Sequence, residues 1–528
     1  MAQLTGPPAR ALVLIGFMGA GKSSVARELA EALGVAALDS DSLLEERFGH
    51  AIAEEFELHG EASFRSAEEQ LIAELLNDAG PGSVIALGGG SVGSERVRRA
   101  LEPHLTLLLD VDPATAWERI GAIDGAAPGR PLARGWEAFS ALHAERRELY
   151  EGLADAVLPA LAPGSAPQLL DALRALSVAP AGTRLLWARA ASGDYPVLVG
   201  RGLLKAAGAE DYAGVWPLDR GSSRPFCVSD ETVWRLYGGY LGDVSGTLAI
   251  APGEGEKTLL NAERVWRALL GAEVTRSDHV VALGGGVVGD LAGFCAATYQ
   301  RGIPVVQVPT TLLAQVDSAY GGKTGVDLPE AKNYVGAYHQ PAGVLVDPDT
   351  LSTLPAGELA AGWVEVLKTA LIAGGDLWQE VARGGEVDEG TILACARTKL
   401  AVVAADERDS GRRQVLNLGH TVGHAIETAT GYARYRHGEA VGLGLLATLR
   451  LSGLADLRAQ VRGLLEDRDL PVTLEGAEVD EVVAATARDK KRLGGSVPFV
   501  LLSAPGDVRI GCEVAQDELR AAVAELGR

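Results

Sequence analysis

The sequence predicts an α/β protein of several domains: a parallel-sheet domain in front, a second, Rossmann-like α/β domain, and an α-helical domain behind it. Three observations carry this. Strand-like apolar runs alternate with helical segments through residues 11–175. Strongly Gly-punctuated strand runs start afresh from Arg184 to about Leu354. After Pro355 the strand signals fade, and Ala, Leu, Glu and Arg dominate to Arg492, the composition of packed helices. With ~100–200 residues per domain, a chain of 528 residues holds three or four. The expected boundaries are a first domain at 1–176, a linker at 177–184 where SVAPAGT loses periodicity, a second domain at 185–354 and a third at 355–528.

In order, ALVLIG is the first strand, Lys22 to Leu33 its helix, and Val84–Leu87 and Leu105–Leu109 are further strands of the front sheet. PVLVG, TLAIAPG, HVVALGGG and IPVVQVP supply strands of the second. The apolar stretch Ala440–Leu457 is interrupted by Arg450 and Asp456, short of the ~20 uncharged residues a membrane span needs, and reads as a buried helix. The balance of 48 Lys plus Arg against 70 Asp plus Glu, a net −22, argues against a general nucleic-acid binder, since no basic excess is left for phosphates. Cys227, Cys295, Cys395 and Cys512 form no CxxC pair, so neither a disulfide framework nor a cysteine zinc site is expected. No export signal follows the N-terminal apolar run, and a cytoplasmic location is the expectation.

Gly16-Phe17-Met18-Gly19-Ala20-Gly21-Lys22-Ser23, followed by Ser24, matches the phosphate-loop pattern GxxxxGK[ST] between a strand and a helix. Gly16, Gly19, Ala20 and Gly21 let backbone N–H groups curl round a phosphate, Lys22 neutralises the outer oxygens and the Ser23 hydroxyl suits Mg²⁺. Asp39 and Asp41, two apart after the apolar AAL, are expected on one face of a strand end. Downstream stand Gly60-Glu61-Ala62-Ser63-Phe64-Arg65, Gly88-Gly89-Gly90-Ser91, Arg130-Pro131-Leu132 and Glu145-Arg146-Arg147. In this order the motifs resemble shikimate kinase over about residues 10–175. The resemblance implies that Asp41, Arg65, Gly88, Gly89, Gly90 and Arg146 hold shikimate and that Asp39 sits near Mg²⁺ and the attacking hydroxyl. Arg130, on a lid that includes the Ala- and Gly-rich stretch 121–129, is implied to stabilise the phosphoryl group in flight.

Farther on, Gly284-Gly285-Gly286-Val287-Val288-Gly289-Asp290, Gly253-Glu254-Gly255-Glu256-Lys257 and Thr310-Thr311 each follow a strand and offer one crevice to a dinucleotide. His420 and His424 stand one helical turn apart, with His437 close behind; imidazoles with a carboxylate and one open position make a plausible catalytic zinc site. Together with Asp317-Ser318-Ala319-Tyr320-Gly321-Gly322-Lys323, Glu365-Val366-Leu367-Lys368, Lys399, Arg413, Asn417 and Asp489-Lys490-Lys491, the pattern resembles 3-dehydroquinate synthase from about Leu185 to the C-terminus. That resemblance implies Glu365, His420 and His437 as ligands of Zn²⁺ (or Co²⁺). It implies NAD⁺ contacts at Asp230, Gly253, Glu254, Lys257, Gly285, Gly286, Val287, Gly289, Asp290, Thr310, Thr311, Asp317, Lys323 and Lys332. Phosphosugar contacts are implied at Arg301, Lys323, Lys368, Lys399, Arg413, Asn417, His424 and Lys490 or Lys491, with Arg130, Lys323, Lys368, His424 and Asp39 the catalytic set of the two halves. Arg301 matches an arginine that reaches a neighbouring subunit's substrate, which implies a homodimer.

The expected activities are phosphorylation of shikimate by MgATP and the NAD- and Zn-dependent cyclisation of 3-deoxy-D-arabino-heptulosonate 7-phosphate to 3-dehydroquinate with loss of phosphate. Departures are few: Ala319-Tyr320 replace the family's usual Ser and β-branched residue, and Pro217–Pro225 extend an early loop. Rival readings keep the folds but change the chemistry. One has a gluconate-type kinase ahead of a polyol dehydrogenase or another sugar-phosphate cyclase; the other has a front domain that binds nucleotide without turnover. A row of lysines suits a phosphorylated carboxylate better than a neutral polyol.

Overall fold

The computed structural model describes residues 6–124, 135–209, 214–486 and 498–527. The chain divides into two compact units, 1–188 with 196–221 and 189–195 with 222–528. Arg130, Lys490 and Lys491 fall outside the described residues, as does the stretch 125–129 of the expected lid; Gly121 belongs to the helix Pro113–Asp124.

The front unit is a twisted sheet of β1 (Leu12–Ile15), β2 (Ala37–Asp39), β3 (Val84–Ala86), β4 (Leu105–Asp110), β5 (Ala156–Pro159), β6 (Arg184–Ala188) and β7 (Tyr195–Val199) in the order β2-β3-β1-β4-β5-β6-β7. β1 pairs parallel with β3 and β4, as Val/Leu/Ile-rich strands buried on both faces should, and all four residues of β1 are buried. The junction expected at 177–184 is therefore not where the units part. β6 continues the front sheet by pairing parallel with β5, Ala156 opposite Leu185, because an apolar strand edge recruits whatever apolar run follows it.

The rear unit carries β8 (Pro225–Asp230), β9 (Gly246–Ile250), β10 (His279–Gly284), β11 (Val305–Pro309), the antiparallel hairpin β12 (Lys323–Leu328) with β13 (Ala331–Tyr338), and β14 (Gly343–Val346). The order β14-β11-β10-β8-β9 is parallel throughout, and helices Leu259–Gly271 and Gly286–Thr298 close one core over it through Val265, Leu269, Leu291 and Phe294. Helices follow from Ala356, as expected, but the end of the chain departs from an all-helical reading. β15 (Phe499–Ala504) and β16 (Asp507–Cys512) form a hairpin around Pro505-Gly506 before a last helix, Gln516–Ala524. The apolar stretch at 440–457 is likewise two helices, His437–Leu451 and Ala455–Glu466, parted at Gly453 with φ +73°. Among the described residues no helix is long and apolar enough to cross a membrane.

The helices His420–Ala429 and His437–Leu451 approach closely because their contact is built on glycine. A Cβ on Gly444 would stand 2.0 Å from the Gly419 carbonyl oxygen and 2.8 Å from the Gly423 nitrogen. Backbone cannot step aside as a side chain can, so Gly444→Ala is expected to cost at least the ~1–3 kcal/mol of an overpacked core. Thermal unfolding of the whole chain would show it as a lowered Tm for the rear unit; an unchanged Tm would contradict the packing.

Candidate active sites

In the front unit β1 runs straight into the phosphate loop. Gly19 and Gly21 take φ +78° and +97°, a left-handed backbone that glycine adopts without strain, and the turn opens onto the N-terminus of helix Lys22–Leu33, which lies where expected. Nζ of Lys22 donates to the carbonyls of Gly16 and Phe17 at 2.9 and 3.1 Å, arching over the loop, and Arg119 supports it from behind through the Ala20 carbonyl at 3.1 Å. The first-turn residues Ser23 and Ser24 are exposed at that terminus, where amide groups and helix dipole favour anions.

The two aspartates differ from a strand-face pair. Asp39 ends β2 and caps the helix Ser40–Phe48, its carboxylate accepting from the amides of Asp41 and Ser42, so Asp41 already belongs to the helix's first turn and period-two geometry does not apply. The expected shikimate-holding residues do converge. Gly88 Cα faces Asp41 and Glu68, whose oxygens would lie 2.6 and 2.8 Å from a Cβ placed there, and Gly90 lies under the guanidinium of Arg65. Arg146 donates to the Gly89 carbonyl at 3.1 Å. Helix Ile52–Asp78 breaks at Gly60 (φ +78°) before it presents Arg65.

Two residues in contact with this group were missed in the sequence. Glu68 is buried and pairs with Arg65 at 2.6 Å; burial raises its carboxyl above the usual range, with Asp41 adding to the rise against Arg65 and Arg146. The Tyr150 hydroxyl donates to the Gly89 carbonyl beside Arg146, and burial pushes it up to about 12. Arg65 with Glu68 reads along the chain as an ordinary i, i+3 helix pair; the spacing of Tyr150 four residues after Arg146 was the available sign that both face the same turn.

In the rear unit the residues expected around a nucleotide line the ends of the parallel strands. Gly285 precedes the helix Gly286–Thr298, and a Cβ on it would meet Thr311 at 2.8 Å; Val287 and Gly289 follow in its first turn. The hydroxyl of Thr310 is buried without a hydrogen-bond partner. Buried Lys257 joins Glu254 at 2.9 Å, Asp290 at 3.3 Å and Asp327 at 3.9 Å, tying the Gly253 turn to the helix start. A bare strand-end turn, an open helix N-terminus and a hydroxyl in want of a partner suit a dinucleotide pyrophosphate. Asp230 spends its carboxylate differently, capping helix Glu231–Tyr237 through the amides of Thr232 and Val233.

The helices behind the sheet bring a second group together. Glu365 and Lys368 lie one turn apart on helix Ala356–Ala373, Lys399 on Glu389–Ala405, His420 and His424 on His420–Ala429, and His437 opens the next helix. Asp317 sits between two lysines, accepting from Lys368 at 2.8 Å and from Lys399. Burial would raise its carboxyl, yet the two ammonium groups hold it well below the carboxylate range. Burial brings Lys399 down to about 8 although Asp317 opposes it, while Asp317 and Glu365 outweigh the burial of Lys368 and raise it above the lysine range.

Nitrogen atoms of His420, His424 and His437 all fall within 4.8 Å of one another. Glu365 completes the arrangement. Its Oε2 is 2.5 Å from Lys368 Nζ, and its Oε1 is 3.7 Å from His420 Nε2 and 3.5 Å from His437 Nε2. Nδ1 of His420 faces the Leu418 carbonyl at 3.1 Å; a carbonyl only accepts, so the proton sits on Nδ1 and the Nε2 lone pair points at the cluster. Burial disfavours a charged His437, but Glu365 and Glu427 prevail and lift it to about 10. A place that stabilises positive charge between soft nitrogen donors and a buried carboxylate fits a divalent cation. Both His424 and Glu365 border it, and Glu365 brings to His420 and His437 a buried oxygen, Oε1, that has no well-formed hydrogen bond.

Other expected contacts are arranged less directly. Lys323 is half exposed and paired with Asp409 at 2.5 Å. Arg413 is buried and turned to the carbonyls of Gly321 and Glu407 at 2.8 and 2.5 Å. Asn417 lies just ahead of His420, partly buried. Arg301 (φ +71°) lines a separate cavity of about 410 Å³ with Ser192, Asp194, His339 and Gln340.

Known families match both units. The shikimate kinase family model matches residues 18–166, and the models for the N-terminal and C-terminal parts of 3-dehydroquinate synthase match 247–361 and 362–492. The 3-dehydroquinate synthase of Symbiobacterium thermophilum is 43% identical over 360 residues, 63% of this chain and 98% of that protein. That of Geobacter metallireducens is 44% identical over 303 residues, 54% of this chain and 84% of its own. Among solved structures, 2-epi-5-epi-valiolone synthase from Streptomyces hygroscopicus, with NAD⁺ and Zn²⁺ bound, aligns with a TM-score of 0.57 at 29% identity over 63% of this chain and 96% of its own. A 2-deoxy-scyllo-inosose synthase at 24% identity shares the fold, with the same TM-score, over 65% of this chain and 99% of that one. The chain belongs to the 3-dehydroquinate synthase family and carries a shikimate kinase domain ahead of the synthase on the same polypeptide.

Proposed function

We propose that the residues gathered above work as two active sites: the front site phosphorylates shikimate from MgATP, and the rear site converts 3-deoxy-D-arabino-heptulosonate 7-phosphate to 3-dehydroquinate. The observation that carries the rear reading is the meeting of Glu365, His420 and His437 beside the Lys368–Asp317–Lys399 chain. Glu365, His420 and His437 would hold a divalent metal, and the turns at Gly253, Gly285 and Thr310 would hold NAD⁺. When bound, the metal acidifies a substrate hydroxyl and the nicotinamide takes up a hydride and gives it back, leaving no net oxidation.

The protein's own part is binding and proton placement. Lys368, Lys399 and Lys323 neutralise phosphate and carboxylate oxygens, with Arg413 and Asn417 beside them. His424, an imidazole within the cluster but spared by the better donors, moves protons at the reacting centre. Arg301 reaches a second copy's substrate, which makes the working form a homodimer. In front, Lys22 and the loop amides hold the ATP phosphates, Ser23 and Asp39 would hold Mg²⁺, and Asp41, Arg65, Arg146 and the Gly88–Gly90 turn orient shikimate. Positioning and charge neutralisation are most of what phosphoryl transfer requires.

A related sugar-phosphate cyclase is the rival with most support, given the valiolone synthase neighbour, but its 29% identity stands below the 43% shared with a dehydroquinate synthase. The deciding experiment supplies the purified chain with NAD⁺, Zn²⁺ and the heptulosonate phosphate while following phosphate and dehydroquinate, and separately with shikimate and MgATP. Both products are expected. Turnover of a sugar phosphate that lacks the carboxylate, in place of the heptulosonate, would overturn the rear assignment, and failure to phosphorylate shikimate would overturn the front one.

A further inference from the structure

Glu427 belongs to none of the expected sets, yet its surroundings are unusual. It lies on helix His420–Ala429 seven residues after His420, two turns along the same face, and is only 2% exposed. Its Oε1 accepts from Lys332 Nζ at 3.0 Å. Its Oε2, buried and without a well-formed hydrogen bond, stands 3.5 Å from Nδ1 of His437. The opposite nitrogen of that imidazole, Nε2, is the one 3.5 Å from Glu365. One carboxylate thus faces each side of the ring.

Lys332 extends the chain in the other direction. Rising from β13, it lies 3.7 Å from Glu254 Oε1 and 4.8 Å over the Tyr432 ring; Glu254 in turn pairs with Lys257, and Lys257 with Asp290 at the start of the glycine-turn helix. Alternating charges run unbroken from the nucleotide turn to the imidazole.

We propose that Glu427 is a positioning residue for the metal centre: it holds the Nδ1–H of His437 so that Nε2 faces Glu365 and His420, and through Lys332 it couples the nucleotide turn to that centre. The inference rests on the ligand set proposed above. A buried carboxylate that accepts from the far nitrogen of a ligating imidazole fixes its tautomer and raises its basicity, and loss of such a partner costs about 10- to 100-fold in metal affinity. Because coupling between two sites is reciprocal, metal should tighten nucleotide binding by the same factor by which nucleotide tightens metal binding.

The test is Zn²⁺ titration of the metal-free full chain against a competing chelator, with the visible spectrum of the Co²⁺ form as a second readout and shikimate phosphorylation as the check that the chain is folded. Glu427→Ala is expected to weaken Zn²⁺ binding about 10- to 100-fold and to change the Co²⁺ spectrum. Glu427→Gln keeps shape and an accepting oxygen, and should restore part of the affinity and most of the spectrum. Lys332→Met should remove the dependence of NAD⁺ affinity on Zn²⁺, whatever it does to NAD⁺ affinity itself. Wild-type Zn²⁺ affinity and spectrum in Glu427→Ala overturn the positioning role, and an unchanged Zn²⁺ dependence in Lys332→Met overturns the coupling. His437→Ala in the same titration separates the layers: if it too binds Zn²⁺ normally, the ligand set itself is wrong and both proposals fall.

Discussion

His437→Ala is expected to stop phosphate release from the heptulosonate phosphate while shikimate phosphorylation continues at its normal rate. The residue is the first of helix His437–Leu451, and its Nε2 is one of two imidazole atoms facing Glu365 Oε1. Without it Glu365 keeps Lys368 on one oxygen but loses half of the donor set on the other. Metal acting as a Lewis acid supplies several kcal/mol of charge stabilisation, so its loss corresponds to a fall of at least ~10³-fold in rate, with bound Zn²⁺ per chain falling in parallel. His424→Ala provides the contrast. With His424 moving protons and Glu365 binding the cation, that variant should retain its metal and still lose about 10²- to 10⁴-fold in turnover. Loss of metal in His424→Ala with retention in Glu365→Gln would exchange the two roles.

How much of this was legible beforehand depended on whether a feature is local in sequence. The phosphate loop and the pair His420 and His424 are contiguous, so spacing alone fixed the helix start at Lys22 and the shared face one turn apart. Glu365, Lys368, Lys399 and Asp317 meet only through tertiary packing; resemblance named them, but nothing in their spacing could show Asp317 lodged between two ammonium groups. Glu68 and Glu427 escaped notice for the same reason. Each stands at ordinary helix spacing from a charged neighbour, and their burial is a property of what packs on top of them. The run PVLVG, expected in the second sheet, falls in the front unit as β7, and β6 before it does the same, because an apolar strand carries no mark of the edge it will join. The hairpin β15–β16 is a different case: Pro505-Gly506 between two strand-like runs is a turn signal, overridden by the helical composition around it. Asp39 and Asp41 show local chemistry prevailing over periodicity, since an aspartate ahead of a helix caps it and so ends the strand that period-two reasoning assumed.

In the front unit the largest effect is expected from Asp41→Asn, set against Lys22→Met. Asp41 is exposed at the first turn of helix Ser40–Phe48, and its carboxylate looks across Gly88 toward Glu68, the partner of Arg65. The exchange keeps the size of the side chain but removes the charge proposed to order a substrate hydroxyl, and it leaves the phosphate loop untouched. Shikimate phosphorylation should fall by about 10²- to 10⁴-fold while ATP affinity stays within a few-fold of normal and dehydroquinate formation does not change. Lys22→Met should instead lose ATP affinity and turnover together, because Nζ of Lys22 arches over the loop that receives the phosphates. The two variants therefore separate acceptor binding from nucleotide binding within one small domain. Full activity in Asp41→Asn would remove Asp41 from the shikimate site and leave the acceptor to Arg146 and Tyr150, which both donate to the Gly89 carbonyl.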